Sequence, residues 1–393
     1  MKWLFFGQRV SVHEDILWGA VELGWDIDRS KYRVPDSEYS DEDLENVKKE
    51  AGTADIFLTV DFSAAMAEAA HLLGRIYVCW VYDCPQRALY RKEALYDENI
   101  IFLFDRKELA KLKTLGLKHL HYLPLAANMQ RAAGLNISDE DIRKYRSDIS
   151  FVGNLYHNAE RSAAFVSLSS RFPGAGAELD SYFNKYFCNW DHSLKTEVTD
   201  ETSFIDPLYR VIKKENTGQY PSATKAFWVR SLLDRELSCR ERREILSYLS
   251  SFFAVDLYTR DTGTAADIPM LRVHPPVEYE TEMYRVFFAS SLNLNITMRS
   301  IESGVPQRVF DIMSVGGCVL TNRQDEIDEL FIPGKEILCF SSREELKELA
   351  AYYLIHEQER VRIGISGYQR VKNQYNYTTA AEKILRTVIT DVG

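Results

Sequence analysis

The sequence predicts an α/β protein with two domains, each built on an open parallel sheet, that face each other across a cleft. Strand-like and helix-like segments alternate over residues 1–147 and resume after residue 250. Between these regions, residues 155–250 show helical periodicity without a convincing strand. Strands separated by helices pair in parallel through right-handed crossovers. Ligands of such sheets bind beyond the carboxyl ends of the strands, so two facing domains predict a ligand cleft between them.

The first domain is predicted over residues 1–147 and is Rossmann-like. It opens with a short apolar run at residues 1–7. This run is too short for a signal peptide, so it is interpreted as the first strand. A polar, acidic segment at 37–50 predicts a loop that leads into a helix. The predicted strands are 2–7, 55–60, 75–82, 100–104 and 120–125, and the predicted helices are 12–23, 63–73 and 107–115.

The second domain is predicted over residues 148–374, after a polar, charged stretch at 138–147. It contains the helical insert at about 155–250. The predicted strands are 148–154, 252–258, 270–273, 292–296, 318–321 and 337–340, with a helix at 280–289. Residues from 343 onward are predicted to be helical, and the closing helix at about 375–393 is expected to pack back on the first domain.

Composition excludes several classes of protein. The chain has 393 residues, of which 46% are hydrophobic and 27% charged, as in an ordinary soluble domain. A net charge of −10 argues against a nucleic-acid partner. Without a run of about 18 apolar residues, no membrane span is predicted. Cys79, Cys318 and Cys339 lie in apolar runs, as reduced core thiols do, which predicts a cytoplasmic setting.

The most informative segment is 304–322, which predicts a loop, a short helix, a two-glycine turn and a buried strand. Gly304 and Val305 lie at the helix start, where backbone N–H groups favour an anion. Arg308 and Asp311 share one helix face. Arg308 can bind a phosphate through its planar fork, and Asp311 can accept hydrogen bonds from a sugar hydroxyl pair. The alternative is an intrahelical ion pair on a solvated face.

Other segments extend this pattern into a family resemblance. They are Ser291–Thr297, Arg299-Ser300, 304–322, 329–334, 352–356 and 367–377 in the second half, and Trp80-Val81-Tyr82-Asp83-Cys84-Pro85 in the first. Over roughly residues 250–390 the chain most closely resembles the CgeB-type spore maturation proteins, which are bacterial glycosyltransferase-like proteins of the GT-B architecture.

The resemblance implies glycosyl transfer from a nucleotide-diphosphate sugar, with a UDP-sugar as the first expectation. The second domain then holds the donor, and the first domain holds a protein or glycan acceptor with a free hydroxyl. Neither a metal nor another cofactor is expected, because the helix terminus and basic side chains offset the diphosphate charge. Two alternatives stay open, namely an inactive nucleotide- or glycan-binding protein and a non-hydrolysing nucleotide-sugar epimerase.

One departure from the family pattern concerns the stereochemistry of transfer. Many retaining GT-B enzymes carry two glutamates eight positions apart near this helix. Here those positions hold Ser303 and Asp311, and Glu302 is out of register by one residue. Retention therefore cannot be inferred, and Asp311 is interpreted only as a ribose ligand.

Further donor-binding candidates follow predicted strand ends of the second domain. Gly153 permits close approach of the backbone to a phosphate, and Asn154 can bond to the donor. Tyr258, followed by Arg260, ends another strand, and Tyr279 can stack on the base or bond near it. Arg299 precedes the donor helix and is a second candidate for the diphosphate charge. Plain turns and packing are the competing interpretations.

The first domain supplies the catalytic candidates. Asp83 ends a strand and can act as general base for an acceptor hydroxyl, as an inverting transfer requires. A turn or capping role before Pro85 is the alternative. His13 lies after the first strand and is a second candidate base, with a surface helix position as its alternative. Arg9, in the first strand–helix loop, is a candidate phosphate contact.

Several patterns are rejected as sites. The Asp26-Ile27-Asp28 motif lies at the end of the first helix and is interpreted as surface. His119 and His121 alternate on a strand without further metal ligands nearby, so no metal site is predicted. The basic patch Cys239–Arg243 is interpreted as a solvated helix face.

Overall fold

The computed structural model describes residues 1–7, 11–35, 38–190, 198–210 and 220–392, and it confirms the predicted fold class with two six-stranded parallel sheets. The first sheet has the order β2-β1-β3-β4-β5-β6. Its strands are β1 Trp3–Phe5, β2 Ile27–Arg29, β3 Ile56–Val60, β4 Ile76–Val81, β5 Asn99–Leu103 and β6 His119–Tyr122.

The second sheet belongs to the second half of the chain. Its strands are β7 Ser147–Val152, β8 Val255–Tyr258, β9 Arg272–His274, β10 Ser290–Asn295, β11 Val319–Asn322 and β12 Leu338–Phe340. The order is β12-β11-β10-β7-β8-β9, so the winding direction reverses between β7 and β10. The loops that leave neighbouring strands at such a point diverge and open a crevice for a ligand.

Helices cover the sheets and form the insert. They are α1 Ser11–Glu22, α2 Asp41–Ala51, α3 Ala64–Leu73, α4 Arg106–Thr114, α5 Met129–Gly134, α6 Asp139–Tyr145, α7 Ala159–Arg171, α8 Pro173–Tyr186, α9 Ile205–Tyr209, α10 Lys225–Ser250, α11 Thr262–Ala265, α12 Glu282–Ala289, α13 Gln307–Ser314, α14 Ile327–Leu330, α15 Arg343–Ile355, α16 Glu357–Gln374 and α17 Tyr377–Val392.

The helix α13 is short and strongly amphipathic. Val309, Ile312 and Met313 are fully buried against the second sheet and neighbouring helices. The sequence predicts Pro306 in the first turn of α13. In the structure Pro306 is instead the N-cap, one residue before the helix begins. Gly316 has a φ of +75°, which lets the chain leave the helix and enter β11.

The strand β2 corrects one interpretation of the sequence. Ile27–Arg29 pairs in parallel with Trp3–Phe5 at the edge of the first sheet, where a surface motif at the end of α1 is predicted. The strand has three residues, two of them charged, so it lacks the apolar run that identifies the other strands.

The insert contacts both domains. On the side of the second domain, the Arg299 guanidinium donates to the backbone carbonyls of Tyr186 and Asn189, each at 2.8 Å. On the side of the first domain, the rings of Tyr90 and Phe227 lie 3.9 Å apart. The insert therefore spans the two domains.

The last helix returns to the first domain. α17 packs against α1, and the Tyr82 hydroxyl donates to the Tyr377 hydroxyl at 3.2 Å. The side chains of His121 and Asp391 lie 2.7 Å apart. The two domains are thus joined at α17 as well as through the insert.

Candidate active site

A cavity of about 710 Å³ lies between the two sheets at the carboxyl ends of their strands. We call it the interdomain cavity. Gly153 and Asn154 follow β7, Tyr258 ends β8, and Thr297 follows β10. Asp83 faces them from the loop after β4 of the first domain. The cavity lies where the strand order of the second sheet reverses, which is the expected position for a ligand.

The wall of the interdomain cavity is strongly cationic. Its charged residues are one carboxylate, Asp83, and five arginines, namely Arg87, Arg235, Arg242, Arg260 and Arg308. In a chain with a net charge of −10, this local excess of positive charge is marked. A cleft of this kind attracts and holds an anion.

Arg242 is the residue that sequence reasoning missed. It is 7% exposed, and its guanidinium donates to the carbonyls of Asn154 and Ile296, the latter at 2.7 Å. Its Nε lacks a hydrogen-bond partner among the described residues, and no carboxylate there pairs with it. Burial lowers the pKa of Arg242, and the nearby Arg308 charge adds to the effect. An anion bound between these two cations would relieve both costs.

The prediction for this segment is therefore corrected. The sequence predicts a solvated helix face at Cys239–Arg243. In the structure Cys239, Glu241 and Arg242 are all buried on α10. A sequence signal did exist, because Phe227, Ser231, Arg235 and Arg242 recur at spacings of four, four and seven residues. That spacing places them on one face of a helix.

Arg308 and Asp311 do form an ion pair, at 3.6 Å between Arg308 Nη1 and Asp311 Oδ2. The face is not solvated, since Asp311 is 1% exposed. Its carboxylate accepts hydrogen bonds from the Tyr279 hydroxyl at 3.1 Å and from Gln307 Nε2 at 2.9 Å. Burial raises the pKa of Asp311, and the Arg308 charge opposes that rise.

Asp311 consequently lies one layer beneath the cavity wall. Arg308, Gln307 and Tyr279 line the cavity and all contact it from above. Asp311 is 1% exposed and does not itself line the cavity, so this arrangement does not offer its carboxylate for the predicted contact with a ribose.

The structure places several donor-binding candidates on the cavity wall. Gly153, Asn154, Tyr258, Arg260 and Tyr279 all line it. A Cβ at Gly153 would lie 3.4 Å from the Phe151 ring and 3.8 Å from the Arg242 guanidinium, so the cavity passes close to the backbone here.

Arg299 differs from the prediction. Its Nε donates to Glu241 at 2.9 Å, and its Nη2 donates to the insert carbonyls already described. Since Glu241 is fully buried on α10, the pair holds the insert to the second domain. Arg299 is therefore a structural residue rather than a diphosphate contact.

Gly304 and Val305 also lie elsewhere than predicted. The Gly304 N–H donates to Asp105 at 3.1 Å, and a Cβ at Gly304 would lie 2.7 Å from the Phe104 ring. The glycine thus permits close approach of the first domain, not of a phosphate. Val305 is buried in the core between the domains.

A second cavity, of about 530 Å³, lies at the strand ends of the first domain. We call it the first-domain cavity. His13, Asp61 and Asp83 line it, and Asp83 also lines the interdomain cavity. The two catalytic candidates therefore share one cavity, with Asp83 at the junction. Arg9 lies outside the described residues.

Asp61 is a further carboxylate that sequence reasoning missed. It follows β3 with a φ of +60°, and its Oδ1 accepts the backbone N–H groups of Tyr82 and Asp83, at 2.8 and 3.1 Å. This arrangement fixes the backbone that carries Asp83. Short polar side chains tolerate this left-handed conformation, but the residue type alone does not reveal it.

The described residues offer neither a cluster of metal ligands nor a helix that could span a membrane. Over the described ranges, histidine, cysteine and carboxylate side chains do not gather into a group of three suited to a metal ion. None of the helices in those ranges combines the length and apolar character needed to cross a membrane.

Residues 242–386 match the family model described as Glycosyl transferase-like. This segment begins at Arg242 and contains α13 with Arg308 and Asp311. Over these residues the chain is thus similar to glycosyl transferase-like proteins. No curated protein sequence matches the chain.

Several solved structures share the fold. A glycosyltransferase from Rickettsia africae is 10% identical with a TM-score of 0.57, covering 100% of this chain and 98% of that one. HepE from Anabaena in complex with UDP-glucose is 11% identical with a TM-score of 0.54, covering 99% and 100%. Sucrose-phosphate synthase from Thermosynechococcus elongatus is 9% identical with a TM-score of 0.55, covering 99% of each. At these identities the similarity shows the fold, which is that of GT-B glycosyltransferases.

Proposed function

We propose that this chain transfers a sugar from a UDP-sugar to a hydroxyl of a glycan or protein acceptor. The observation that carries the proposal is the pair of guanidiniums of Arg242 and Arg308 on the wall of the interdomain cavity. A nucleotide diphosphate presents adjacent negative charges that such a pair can bind. UDP is the favoured nucleotide because HepE, which shares the fold, is complexed with UDP-glucose.

The donor then lies across the strand ends of the second sheet. Its diphosphate rests against Gly153 and between the two arginines, and Arg260 and Tyr279 border the remainder of the nucleotide. Asp311 acts from beneath, where its carboxylate orients Arg308 and Tyr279. The arginines offset the charge of the diphosphate, and we extend the proposal to transfer without a metal ion.

The acceptor binds in the first-domain cavity, with Asp83 as the general base. The Asp83 carboxylate takes the proton of the acceptor hydroxyl as its oxygen bonds to the anomeric carbon of the donor sugar. The bond from that carbon to the diphosphate oxygen breaks, and UDP leaves with the electron pair. Arg242 and Arg308 stabilise the charge that develops on the leaving group.

The finer classification also belongs to this proposal. The motifs at 80–85 and 291–322 support a CgeB-type protein of bacterial origin, and the apolar settings of Cys79 and Cys318 support a cytoplasmic location. His13 is the second candidate base, since it lines the first-domain cavity with Asp83.

Incubation with a panel of nucleotide-sugars, with and without candidate acceptors and in the presence of EDTA, tests the proposal. We expect UDP to be released from one UDP-sugar, with release stimulated by an acceptor. Epimerised donor without an acceptor would favour an epimerase, and binding without release would favour an inactive binding protein.

The role of Asp83 gives a sharper test in the same assay. Asp83→Asn keeps the size of the side chain and removes the base, so turnover should fall by about 10²- to 10⁴-fold. UDP affinity should stay within about twofold, because Asp83 does not contact the diphosphate in this proposal. Wild-type turnover by the variant would exclude Asp83 as the base.

A further inference from the structure

The insert supplies a third wall of the cleft through α10, the longest helix. Phe227, Ser231, Arg235 and Arg242 line the interdomain cavity from one face of this helix. Phe227 contacts Tyr90 of the first domain, whereas Arg242 bonds to backbone carbonyls of the second domain. α10 thus runs along the cleft from one domain to the other.

The same helix closes the first-domain cavity. The Arg87 guanidinium stacks over Trp228 of α10 at 5.2 Å and donates to Ser231 Oγ at 3.2 Å. Tyr220 and Arg235 of the insert line the first-domain cavity together with residues of the first domain. At about 530 Å³, this cavity has a volume that suits a small molecule or the end of a larger one.

Arg235 is exposed and lines both cavities. It forms neither a hydrogen bond nor an ion pair with any residue in the part of the chain that the structure describes. It lies seven residues before Arg242, which is about 10 Å along the helix axis toward the first domain. This distance sets it apart from the diphosphate and places its charge beside the acceptor.

We propose that the acceptor is acidic and that Arg235 is the specificity-determining residue that binds its anionic group. The acceptor class is a sugar or similar polyol that carries a carboxylate or a phosphate, which the planar guanidinium binds in a bidentate manner. The proposal rests on the function proposed above and adds the class of acceptor. Arg33 and Arg87 line the same cavity, so its three arginines outnumber its two carboxylates, Asp61 and Asp83.

Titration calorimetry of the UDP-loaded protein tests this inference. The probes are glucose, galactose and mannose, each with its uronate and its 6-phosphate. We expect at least one acidic probe to bind ten times or more tightly than its neutral sugar. Comparing the affinities of the uronate and the 6-phosphate of the same sugar then identifies the preferred anionic group. Equal binding within every set, or no binding of any acidic probe, overturns the inference.

Variants assign the preference to a residue. Arg235→Ala should abolish the preference for the acidic probe, and Arg235→Lys should restore it in part. Arg171→Ala, an exposed arginine of the insert on α7, is the matched control and should keep it. A preference that persists in Arg235→Ala overturns the assignment.

UDP binding by the same proteins separates this inference from the proposed function. Arg235→Ala should bind UDP as the wild type does, and a loss of UDP affinity would place Arg235 at the donor and overturn the inference. If the wild type binds UDP but shows no preference among the probes, the inference alone fails. If it binds no nucleotide diphosphate, the proposed function fails as well.

Discussion

At the scale of single residues, the charge balance around Arg242 and Arg308 is the main feature. Both guanidiniums line the interdomain cavity, and Arg308 shares Asp311, its carboxylate partner among the described residues, with three other donors: Gln307, Tyr279 and Tyr284. Buried charges are ordinarily paired, and Arg242 lacks such a pair among the described residues. In the proposed function, a diphosphate supplies this negative charge.

Arg308→Ala tests this charge balance. A charge-assisted hydrogen bond to phosphate contributes about 1.5–3 kcal/mol, so UDP affinity should fall by about 10- to 100-fold. Calorimetry with UDP measures the change, and Arg171→Ala is the control. Affinity within about twofold of the wild type would mean that Arg308 does not contact the diphosphate.

Asp15 gives a prediction about pH. It is buried on α1, accepts a hydrogen bond from Asn128 and pairs with Arg131, while Asp311 and Glu280 add negative charge nearby. Burial is the largest effect and raises the pKa of Asp15 to about 7 from 3.8.

Because the folded pKa is raised, the stabilising contribution of Asp15 is complete below about pH 4 and is lost as the pH rises toward 7. The free energy of unfolding of the wild type, relative to Asp15→Asn, should therefore fall by about 1 kcal/mol per pH unit across this window. Urea unfolding at several pH values measures it. A difference that is constant with pH, or that grows, would contradict the raised pKa.

The position of a single residue can be predicted where its local spacing from a strand decides it. Gly153, Asn154 and Asp83 follow strand ends and line the interdomain cavity for that reason. Arg299 is predicted to contact the diphosphate because it precedes the donor helix. Its pairing with Glu241 is not predictable, since Glu241 lies 58 residues earlier and only the fold brings the two together. Arg242 was missed because its neighbours in sequence resemble a solvated basic patch.

At the scale of elements, the contact between α4 and the loop before α13 joins the two domains. Asp105, the N-cap of α4, accepts the backbone N–H groups of Glu302, Ser303 and Gly304 at 2.7, 2.8 and 3.1 Å. It also accepts from its own helix at Glu108. One carboxylate thus satisfies backbone donors of both domains.

Asp105→Ala should lower the free energy of unfolding by about 3 kcal/mol, because it leaves several buried N–H groups without an acceptor. Chemical denaturation measures the change. Asp97→Ala is the control, since Asp97 pairs with Lys118 on the exposed surface and should matter by less than about 1 kcal/mol. Equal effects of the two substitutions would contradict the assigned role of Asp105.

Most elements are predictable, because strands such as β4 and β5 are apolar runs between helices of clear periodicity. β2 was not, since an edge strand of three residues lacks such a run. The helix start at Gly304 and Val305 is predicted to bind a phosphate, whereas Asp105 accepts the Gly304 N–H. A helix start that suits an anion suits a protein carboxylate equally well, and the sequence does not distinguish the two.

At the scale of the whole molecule, two sheets, the insert and α17 enclose a cleft with a fixed division of roles. The interdomain cavity lies on the second sheet, the first-domain cavity lies on the first sheet, and Asp83 lies where they meet. α10 and α17 each hold the domains together. Closure of the two domains around a bound donor would exclude water from the reacting centre and limit hydrolysis of the donor.

A crystal structure of the protein with UDP tests the central claim most directly. The account predicts that the diphosphate oxygens lie within hydrogen-bond distance of the Arg242 and Arg308 guanidiniums, against the backbone of Gly153. A diphosphate bound away from both arginines, or UDP bound outside the interdomain cavity, would contradict it.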